Sequence, residues 1–404
     1  MLFLGKRLDD LAFRLRRHDI PLRLSLWNGR EYELGQSPQV TIRVPGATGL
    51  RHLLRPSLDS LGQAYVEGHL DVDGRVGAVI STVASLAGHV IEPVGRYGAI
   101  RRMVRHTPKM DADAIAYHYD VSNDFYRQWL DRNMVYSCAY FRRDTDTLEQ
   151  AQEQKLDHIL RKIRLRPGDR LLDIGCGWGG LIIKAARDYG ARAVGITLSQ
   201  NQYALARERI AIAGLTDRCE VRLADYRELD GHHEQFDRIT SVGMFEHVGL
   251  KHLRGYFAKL RELLADDGVA LNHGITSTDP DSGEVPWGGG LFIDRYVFPH
   301  GELPHISLAL KEMCAAGLEP TDVENLRRHY ALTLERWSER FEQAGDALRT
   351  AVGEKRYRIW RIYLAGCAYG FTQHWMALHQ IVAVKARGGM AGPLPMTRDY
   401  MYCH

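Results

Sequence analysis

The chain has 404 residues, 45% of them hydrophobic, and a formal net charge of +3. A chain of this length and composition can bury a large core, and we expect two domains. So small a net charge gives no reason to expect a nucleic-acid partner. The six cysteines are scattered without a Cys-x-x-Cys pair, which indicates neither a disulfide framework nor a metal site. We therefore expect a reduced, cytoplasmic protein with no bound metal.

Charge is unevenly distributed along the chain. Residues 1–110 contain 16 Lys and Arg against 10 Asp and Glu, so this part is net +6 and the remainder is net −3. At its start, Met1 to Asp19 places leucines at helical spacing between basic side chains. Asp9 and Asp10 fall where a secretory signal would need apolar residues, so no signal peptide is predicted. The basic helix either lies on an anionic membrane surface or packs on its own domain, and both interpretations stay open.

The pattern that follows is typical of a small α+β domain. Strands are predicted over Leu22–Trp27 and Val40–Val44, and a basic linker is predicted over Arg96–Lys109. We therefore predict a first domain over residues 1–105 and a second domain over residues 106–404.

From Thr147 onward, strands and helices alternate. Thr147 and Gln150 have the spacing of a capping box, and the helix that they open presents Leu156, Ile159, Leu160 and Ile163 on one face. A first strand follows at residues 171–174, and four more are predicted over residues 193–198, 219–223, 236–242 and 269–273. The intervening helices are predicted over residues 199–214 and 256–264. Such alternation predicts an α/β fold with a Rossmann-like, doubly wound parallel sheet, whose ligands bind at the C-terminal edge of the strands.

The last part of the chain departs from this alternation. Residues 286–304 form a long insertion that we expect to cover the ligand pocket, and helices are predicted over residues 325–337 and 358–385. Ile362 to Val384 is 23 residues without Asp, Glu, Lys or Arg, which is long enough to span a bilayer. Because the stretch carries two glutamines and two histidines, a buried or groove-lining helix is the better interpretation.

A glycine-rich turn follows the first strand. It has the pattern Asp173-x-Gly175-x-Gly177-x-Gly179, and glycines at these positions allow a sharp turn and the close approach of a ligand. The spacing differs from the Gly-x-Gly-x-x-Gly of dinucleotide sites. It resembles the first motif of class I S-adenosylmethionine-dependent methyltransferases. A dinucleotide site and a purely structural turn remain alternatives for this motif taken alone.

Further segments extend the resemblance to one family, the cyclopropane-fatty-acyl-phospholipid synthases. The segments that carry it are residues 134–141, 173–179, 195–202, 241–249, 272–275, 292–299 and 303–304. Together they cover residues 117–387, and the first 105 residues resemble the lipid-carrier-like domain of the same family more loosely. The resemblance implies S-adenosylmethionine as cofactor. The positions that match its binding residues are Tyr136, Ser137, Asp173, Gly175, Gly177, Thr197, Leu198, Gln202, Asp225 and Tyr226.

The same resemblance implies a bound bicarbonate that acts as the base. Its positions in this chain are Cys138, Glu246, His273, Ile275 and Tyr330. Independently of the resemblance, Glu246 follows the fourth strand and His273 ends the fifth, and these strands are expected to be neighbours of the first. A glutamate beside an anion should be protonated or share a proton with it. Aromatic side chains such as Tyr136, Tyr140, Phe245 and Tyr296 either stabilise a cation or belong to the core.

The expected activity is methylene transfer to a cis double bond of an unsaturated phospholipid. This implies peripheral association with the inner face of the membrane, and the sequence leaves open whether the protein is a homodimer. Three alternatives remain: a fatty-acyl C-methyltransferase that forms methylene- or methyl-branched chains, a small-molecule N-methyltransferase, and a non-catalytic lipid-binding protein. A lipid-binding protein would not need the glycines or Glu246, and both are present.

Overall fold

The structure is a computed structural model, and it describes residues 9–10, 12–54, 57–90, 122–281, 289–297, 301–389 and 392–402. The chain forms two compact units. The smaller unit comprises residues 1–103, 284–299 and 334–375, and the larger comprises residues 104–283, 300–333 and 376–404. Each unit is thus built from separate segments of the chain, and the domain boundary after residue 105 stays a prediction.

The secondary structure is mixed. The strands are β1 Leu22–Leu26, β2 Glu31–Glu33, β3 Val40–Val44, β4 Asp71–Asp73, β5 Arg170–Ile174, β6 Arg192–Thr197, β7 Cys219–Leu223, β8 Phe236–Val242, β9 Leu264–Ser277, β10 Leu318–Asn325 and β11 Met376–Lys385. The helices are α1 Leu50–Leu54, α2 Leu58–Val66, α3 Val76–Val90, α4 Asn123–Arg127, α5 Leu148–Lys162, α6 Gly180–Asp188, α7 Gln200–Ile212, α8 Leu253–Leu263, α9 Gly289–Tyr296, α10 Ile306–Ala315, α11 Arg327–Gln343, α12 Gly345–Thr372 and α13 Asp399–Tyr402.

The smaller unit contains a four-stranded sheet in the order β2-β1-β3-β4. Alternate residues of β1 and β3 are buried, so one face of the sheet packs on the core of this unit. The strands predicted at residues 22–27 and 40–44 are therefore confirmed. Of the predicted N-terminal helix, residues 1–8 and 11 lie outside the described residues, as does the predicted linker at residues 96–109. Ala12 and Leu15 of that helix are buried, whereas Phe13 is exposed.

The larger unit contains a seven-stranded sheet in the order β10-β11-β9-β8-β5-β6-β7. Strands β9, β8, β5, β6 and β7 run parallel, and β11 is antiparallel to both of its neighbours. The predicted α/β class is confirmed, and so is the expected adjacency of the first, fourth and fifth strands of the predicted alternation. Their C-terminal ends meet at one edge of the sheet.

The helix ends in this unit follow the sequence signals. Thr147 and Gln150 form the predicted capping box at the start of α5. Ser199 accepts a hydrogen bond from the backbone of Gln202 and begins α7, which ends just before Gly214 with its positive φ of 67°. These signals therefore place α5 and α7 correctly, to within a residue or two.

The helix predicted over residues 358–385 is wrong in its second half. Helix α12 ends at Thr372, a turn passes through His374 with φ of 62°, and residues 376–385 form strand β11. This strand lies between β9 and β10 and is buried on both faces, so its apolar residues are continuous rather than alternating. The uncharged stretch thus spans two elements. Among the residues that the structure describes, no helix is long and apolar enough to cross a membrane.

The insertion after β9 is only partly described. Residues 282–288 and 298–300 lie outside the described residues, and between them α9 belongs to the smaller unit. Its predicted role as a cover for the ligand pocket stays a prediction.

Candidate active site

The glycine-rich turn joins β5 to α6. Gly175, Gly177 and Gly179 have φ angles of 79°, 54° and 81°, in the left-handed region that strains other residues. An added Cβ at Gly175 would lie 3.1 Å from Cγ of Met244, whereas at Gly177 it would meet no described atom within 4 Å. Gly177 therefore faces open space at the edge of the sheet, where a ligand can approach the backbone.

That open space is a pocket at the C-terminal ends of the parallel strands. All ten residues that the sequence predicted for the cofactor line it: Tyr136, Ser137, Asp173, Gly175, Gly177, Thr197, Leu198, Gln202, Asp225 and Tyr226. The assignment of each of these residues to a cofactor contact stays a prediction. Its lining also includes Lys155, Met244 and His247, which the sequence analysis did not single out.

The carboxylate of Asp173 is buried at the base of the pocket. It accepts a 2.7 Å hydrogen bond from Oγ1 of Thr240. Burial raises the pKa of Asp173 to about 6, although the Thr240 bond and the charge of Lys155 oppose the rise. Asp173 is therefore largely ionised at neutral pH and held in place by its neighbour.

Lys155 was missed because it lies on the apolar face of an amphipathic helix. Its ammonium donates a 2.8 Å hydrogen bond to Oγ of Ser137, and its side chain is almost fully buried. Burial lowers the pKa of Lys155 to about 8, opposed by the charges of Asp131 and Asp173.

On the same helix, the amide of Gln152 donates to the carbonyl oxygens of Val135 and Ser137 at 3.2 and 2.9 Å. The two side chains fasten the Tyr136–Ser137 segment to α5. Gln152 and Lys155 lie at helical spacing from buried Leu156, and this pattern could have identified them as buried polar residues in the sequence.

The ends of β6 and β7 supply the other side of the pocket. Thr197 donates from Oγ1 to the amide oxygen of Gln202 at 2.7 Å, and it accepts a bond from the backbone of Ser199 at 3.2 Å. Asp225 forms a 2.6 Å ion pair with Arg227 and caps the 3-10 turn Tyr226–Glu228. These contacts fix the orientation of the polar groups on this wall of the pocket.

Glu246 lies on the 3-10 turn Phe245–His247 that follows β8. Its Oε1 accepts a 2.6 Å hydrogen bond from the backbone N–H of Ile275, while its Oε2 is buried and has no hydrogen-bond partner among the described residues. Burial raises the pKa of Glu246 to about 7, and the Ile275 bond opposes this rise. Near neutral pH, the carboxyl group is therefore poised between its protonated and ionised forms.

His273 is buried on β9 beside this glutamate turn. Its Nδ1 lies 3.1 Å from the amide nitrogen of Gln380, and its Nε2 is buried with no hydrogen-bond partner in the described part of the chain. Burial holds the pKa of His273 well below its usual range, and the charges of Lys155 and Lys162 lower it further. The imidazole is therefore neutral at physiological pH, with one donor and one acceptor nitrogen.

Cys138 and Tyr330 lie in two segments that the structure joins. The Cys138 thiol is buried and donates to the carbonyl oxygen of Ala139 at 3.2 Å, and burial raises its pKa. The backbone N–H of Ala139 donates to Oγ1 of Thr333 at 3.0 Å, which ties this loop to the part of α11 that carries buried Tyr330. A buried thiol with a raised pKa is not a nucleophile, so any role of Cys138 is through its backbone.

The five residues predicted for the base lie outside the lining of the glycine-turn pocket. These are Cys138, Glu246, His273, Ile275 and Tyr330, although Met244 and His247 on the Glu246 turn do line the pocket. Their common contact with one ion stays a prediction. Of the aromatic candidates, Tyr136 lines the pocket, and Phe245 is buried. Tyr140 is stacked between His158 and His329 with ring centroids 4.1 and 4.7 Å away, and Tyr296 belongs to the smaller unit.

The sheet order and the glycine-turn pocket define the protein as a class I S-adenosylmethionine-dependent methyltransferase. Residues 106–381 match the model of the family described as mycolic acid cyclopropane synthetase. The chain belongs to this family. Residues 14–93 match a second model, described as a domain of unknown function, DUF7884.

Three similar proteins cover most of the chain. A probable fatty acid methyltransferase of Pseudomonas putida is 50% identical over 397 residues, which is 98% of this chain and 100% of that protein. The cyclopropane-fatty-acyl-phospholipid synthase of Escherichia coli (strain K12) is 36% identical over 357 residues, covering 86% of this chain and 88% of that protein. The solved structure of mycolic acid cyclopropane synthase CmaA1 with SAH and CTAB has 36% identity and a TM-score of 0.64, covering 68% of this chain and 98% of that chain.

Proposed function

We propose that this enzyme transfers a methylene group from S-adenosylmethionine across a cis double bond of an unsaturated phospholipid acyl chain, with bicarbonate as the base. The observation that carries the proposal is a pair of buried, unpartnered polar atoms. Among the described residues, neither Oε2 of Glu246 nor Nε2 of His273 has a hydrogen-bond partner. Leaving such atoms unsatisfied costs about 1–3 kcal/mol each, so a ligand that completes their hydrogen bonds is expected.

The reaction explains why a polar ligand is needed next to an apolar substrate. Bound S-adenosylmethionine supplies an electrophilic methyl group, and attack by the double bond leaves a carbocation on the acyl chain. The ring closes only when a proton leaves the new methyl group. Glu246 is poorly suited to remove it, because it is partly protonated at neutral pH and already accepts a hydrogen bond from Ile275. An exchangeable anionic base such as bicarbonate, held by Glu246 and His273, would fill this role.

The residues present fit such an anion. Protonated Glu246 donates from Oε2, and His273 donates from Nε2 when that nitrogen carries the proton. Neutral His273 and protonated Glu246 add no negative charge that would repel the ion. The backbone N–H of Ile275, which the family resemblance assigns to the ion, donates to Glu246 in this structure. Ile275 therefore orients the glutamate, and the ion depends chiefly on Glu246 and His273.

The named relatives support the proposal at different levels. The E. coli relative carries the name of this reaction, while the more similar P. putida relative is named only as a probable fatty acid methyltransferase. That second name favours one other candidate, a C-methyltransferase that forms methylene- or methyl-branched chains. Cyclopropane formation and methylene branching pass through the same cation and both need it to lose a proton, so the Glu246–His273 pair is compatible with each. A saturated methyl branch would also need a separate two-electron reductant.

The products distinguish the two candidates. Purified protein is incubated with S-adenosylmethionine and vesicles of a monounsaturated phospholipid, and the acyl chains are examined by mass spectrometry and proton NMR. Cyclopropane formation adds one CH₂ and removes the olefinic protons. A methylene-branched product gains the same mass but keeps a double bond, and the cyclopropane proposal would then be wrong. No change in the acyl chains would reject both candidates.

Because the proposed substrate is a phospholipid of a bilayer, the enzyme is expected to act at a membrane surface. We infer peripheral association, supported by the net +6 charge of residues 1–110 and by the attraction of basic segments to anionic lipids. The proposed partner is unsaturated phospholipid in the inner face of the membrane, which is compatible with this charge.

A further inference from the structure

Three side chains form a row across the sheet beside the candidate base site. Strand pairing places His273 of β9 opposite Gln380 of β11, and Gln380 opposite Glu324 of β10. Paired residues on neighbouring strands project from the same face of a sheet. The row therefore leads from the imidazole through the amide to a carboxylate.

The far end of the row is a buried ionic cluster. Oε2 of Glu324 lies 2.7 Å from Nε2 of His158 and 2.5 Å from Nζ of Lys162. Lys162 is fully buried and also lies 3.2 Å from Asp322. Burial alone would raise the pKa of Glu324, but its contacts with His158 and Lys162 lower it to about 2, so its carboxylate is ionised and paired within the cluster. Gln380 thus lies between His273 and the carboxylate of Glu324, which is already paired with His158 and Lys162.

We propose that Gln380 is a positioning residue that fixes His273 as the tautomer with its proton on Nε2, so that the imidazole presents an N–H donor to the anionic base. The role of His273 toward the anion rests on the proposed function, whereas the tautomer itself depends only on the contact between Gln380 and His273. The amide nitrogen of Gln380 donates to Nδ1 of His273 at 3.1 Å. A neutral imidazole that accepts at Nδ1 must carry its proton on Nε2.

The surrounding charges favour the neutral form that this tautomer requires. The charged and titratable groups that act on His273 come from α5 and β10: Lys155, His158, Lys162 and Glu324. Lys155 and Lys162 oppose a positive imidazole, and Glu324 is the one group among these that favours it. The carboxylate of Glu324 is paired with Lys162 and His158, and the group that contacts the imidazole is the neutral amide of Gln380.

A purely structural role explains Gln380 poorly. Its side chain is fully buried in an apolar strand, and its Oε1 has no hydrogen-bond partner among the described residues. Leucine or methionine would fill the same volume without leaving a buried carbonyl oxygen unsatisfied. A role in orienting the histidine accounts for a polar side chain at this position.

The direct test is the protonation of His273 in the native enzyme. Protein labelled with ¹⁵N-histidine is studied by NMR near neutral pH, and His273 is assigned from the resonances missing in His273→Asn. The proposal predicts a proton on Nε2 and none on Nδ1; the reverse pattern overturns it.

Bicarbonate alone is then added to the same labelled protein. A shift at Nε2 supports both the tautomer and the anion site, whereas the predicted tautomer without any shift supports the positioning of His273 and counts against the proposed base.

Substitutions at Gln380 provide a second readout. In Gln380→Glu, the carboxylate accepts a hydrogen bond from Nδ1–H and leaves Nε2 without a proton, so we expect a roughly 10- to 100-fold lower rate at neutral pH. Its rate relative to the native enzyme at the same pH should recover as the pH falls, because the imidazolium carries protons on both nitrogens. Gln380→Met should lose rate without that recovery. Ile381→Val on the same strand is the matched control, with slightly lower thermal stability and the native pH profile. A native pH profile in Gln380→Glu would contradict the inference.

Discussion

The backbone N–H of Ile275 donates a 2.6 Å hydrogen bond to Oε1 of Glu246. This bond joins the turn after β8 to β9, two residues beyond His273. One carboxyl oxygen is thereby fixed, and the other is left buried without a partner in the described residues. Glu246 is thus held by the backbone while its second oxygen stays available, which is the arrangement expected of a group that receives a ligand.

The glycine turn provides a test of cofactor binding. Gly177→Val should remove measurable affinity for S-adenosylhomocysteine in titration calorimetry, because the new side chain projects into the pocket at a φ of 54°. Gly214→Val is the matched control. Gly214 has a similar φ of 67° and no described atom within 4 Å of an added Cβ, yet it lies outside the pocket lining. Equal affinity in the Gly177 variant and the native protein would contradict the site.

Burial of Glu246 predicts a specific dependence of stability on pH. Its pKa is about 7 in the fold, against a reference value of 4.5. Because the folded state favours the protonated form, this contribution to stability is fully present below about pH 4.5 and is lost as the pH rises through about 7. The native protein should therefore lose stability relative to Glu246→Gln over this range, by up to about 3 kcal/mol.

The comparison requires denaturant unfolding of both proteins in bicarbonate-free buffer from pH 5 to 8. A constant difference in the free energy of unfolding across this range would mean that Glu246 is not desolvated in the fold. The same result would remove the physical basis for a protonated glutamate beside an anion.

Lys155→Met tests the anchoring of the pocket loop. The variant loses the 2.8 Å bond to Ser137, so cofactor affinity should fall by up to roughly 10-fold, the value of one hydrogen bond. The pKa of Lys155 is lowered from 10.5 to about 8. Its contribution to stability is therefore present above pH 10.5 and lost as the pH falls through about 8, so at pH 7 the variant should unfold no more easily than the native protein.

Lys184→Met is the control for this prediction. Lys184 lies on α6, pairs with Glu153, Asp157 and Asp188, and does not line the pocket. Its loss should reduce stability and leave cofactor affinity unchanged. If the two lysine variants bind S-adenosylhomocysteine equally well, Lys155 has no part in shaping the pocket.

Local signals predicted the five parallel strands of the larger sheet and failed at the antiparallel strand β11. The capping box at Thr147 and the glycines after β5 are encoded within a few residues, so the strand–turn–helix order could be inferred directly. Strand β11 could not, because a strand buried on both faces shows no alternation. The contact between Gln380 and His273 links residues 107 positions apart, and only tertiary structure brings them together.

Membrane recruitment through the basic N-terminal part predicts a salt effect. Activity on vesicles that contain anionic phospholipid should fall as ionic strength rises, because surface attraction is screened beyond about 8 Å at physiological salt. Vesicles of zwitterionic phospholipid with the same acyl chains provide the control, and their conversion should depend little on salt. The same salt response on both kinds of vesicle would argue against electrostatic recruitment.

The most direct measurement of the central claim is the bicarbonate dependence of turnover in the native enzyme and in Glu246→Gln. Both are assayed on unsaturated phospholipid vesicles in carbonate-free buffer, before and after bicarbonate is restored. The native enzyme should slow on depletion and recover on addition. Glu246→Gln should be slower by ~10²–10⁴-fold, the usual value of a positioned acid–base function, with a much smaller change in cofactor affinity. Normal turnover by Glu246→Gln, or a native rate indifferent to bicarbonate, would contradict the assignment of Glu246 and His273 to an anionic base.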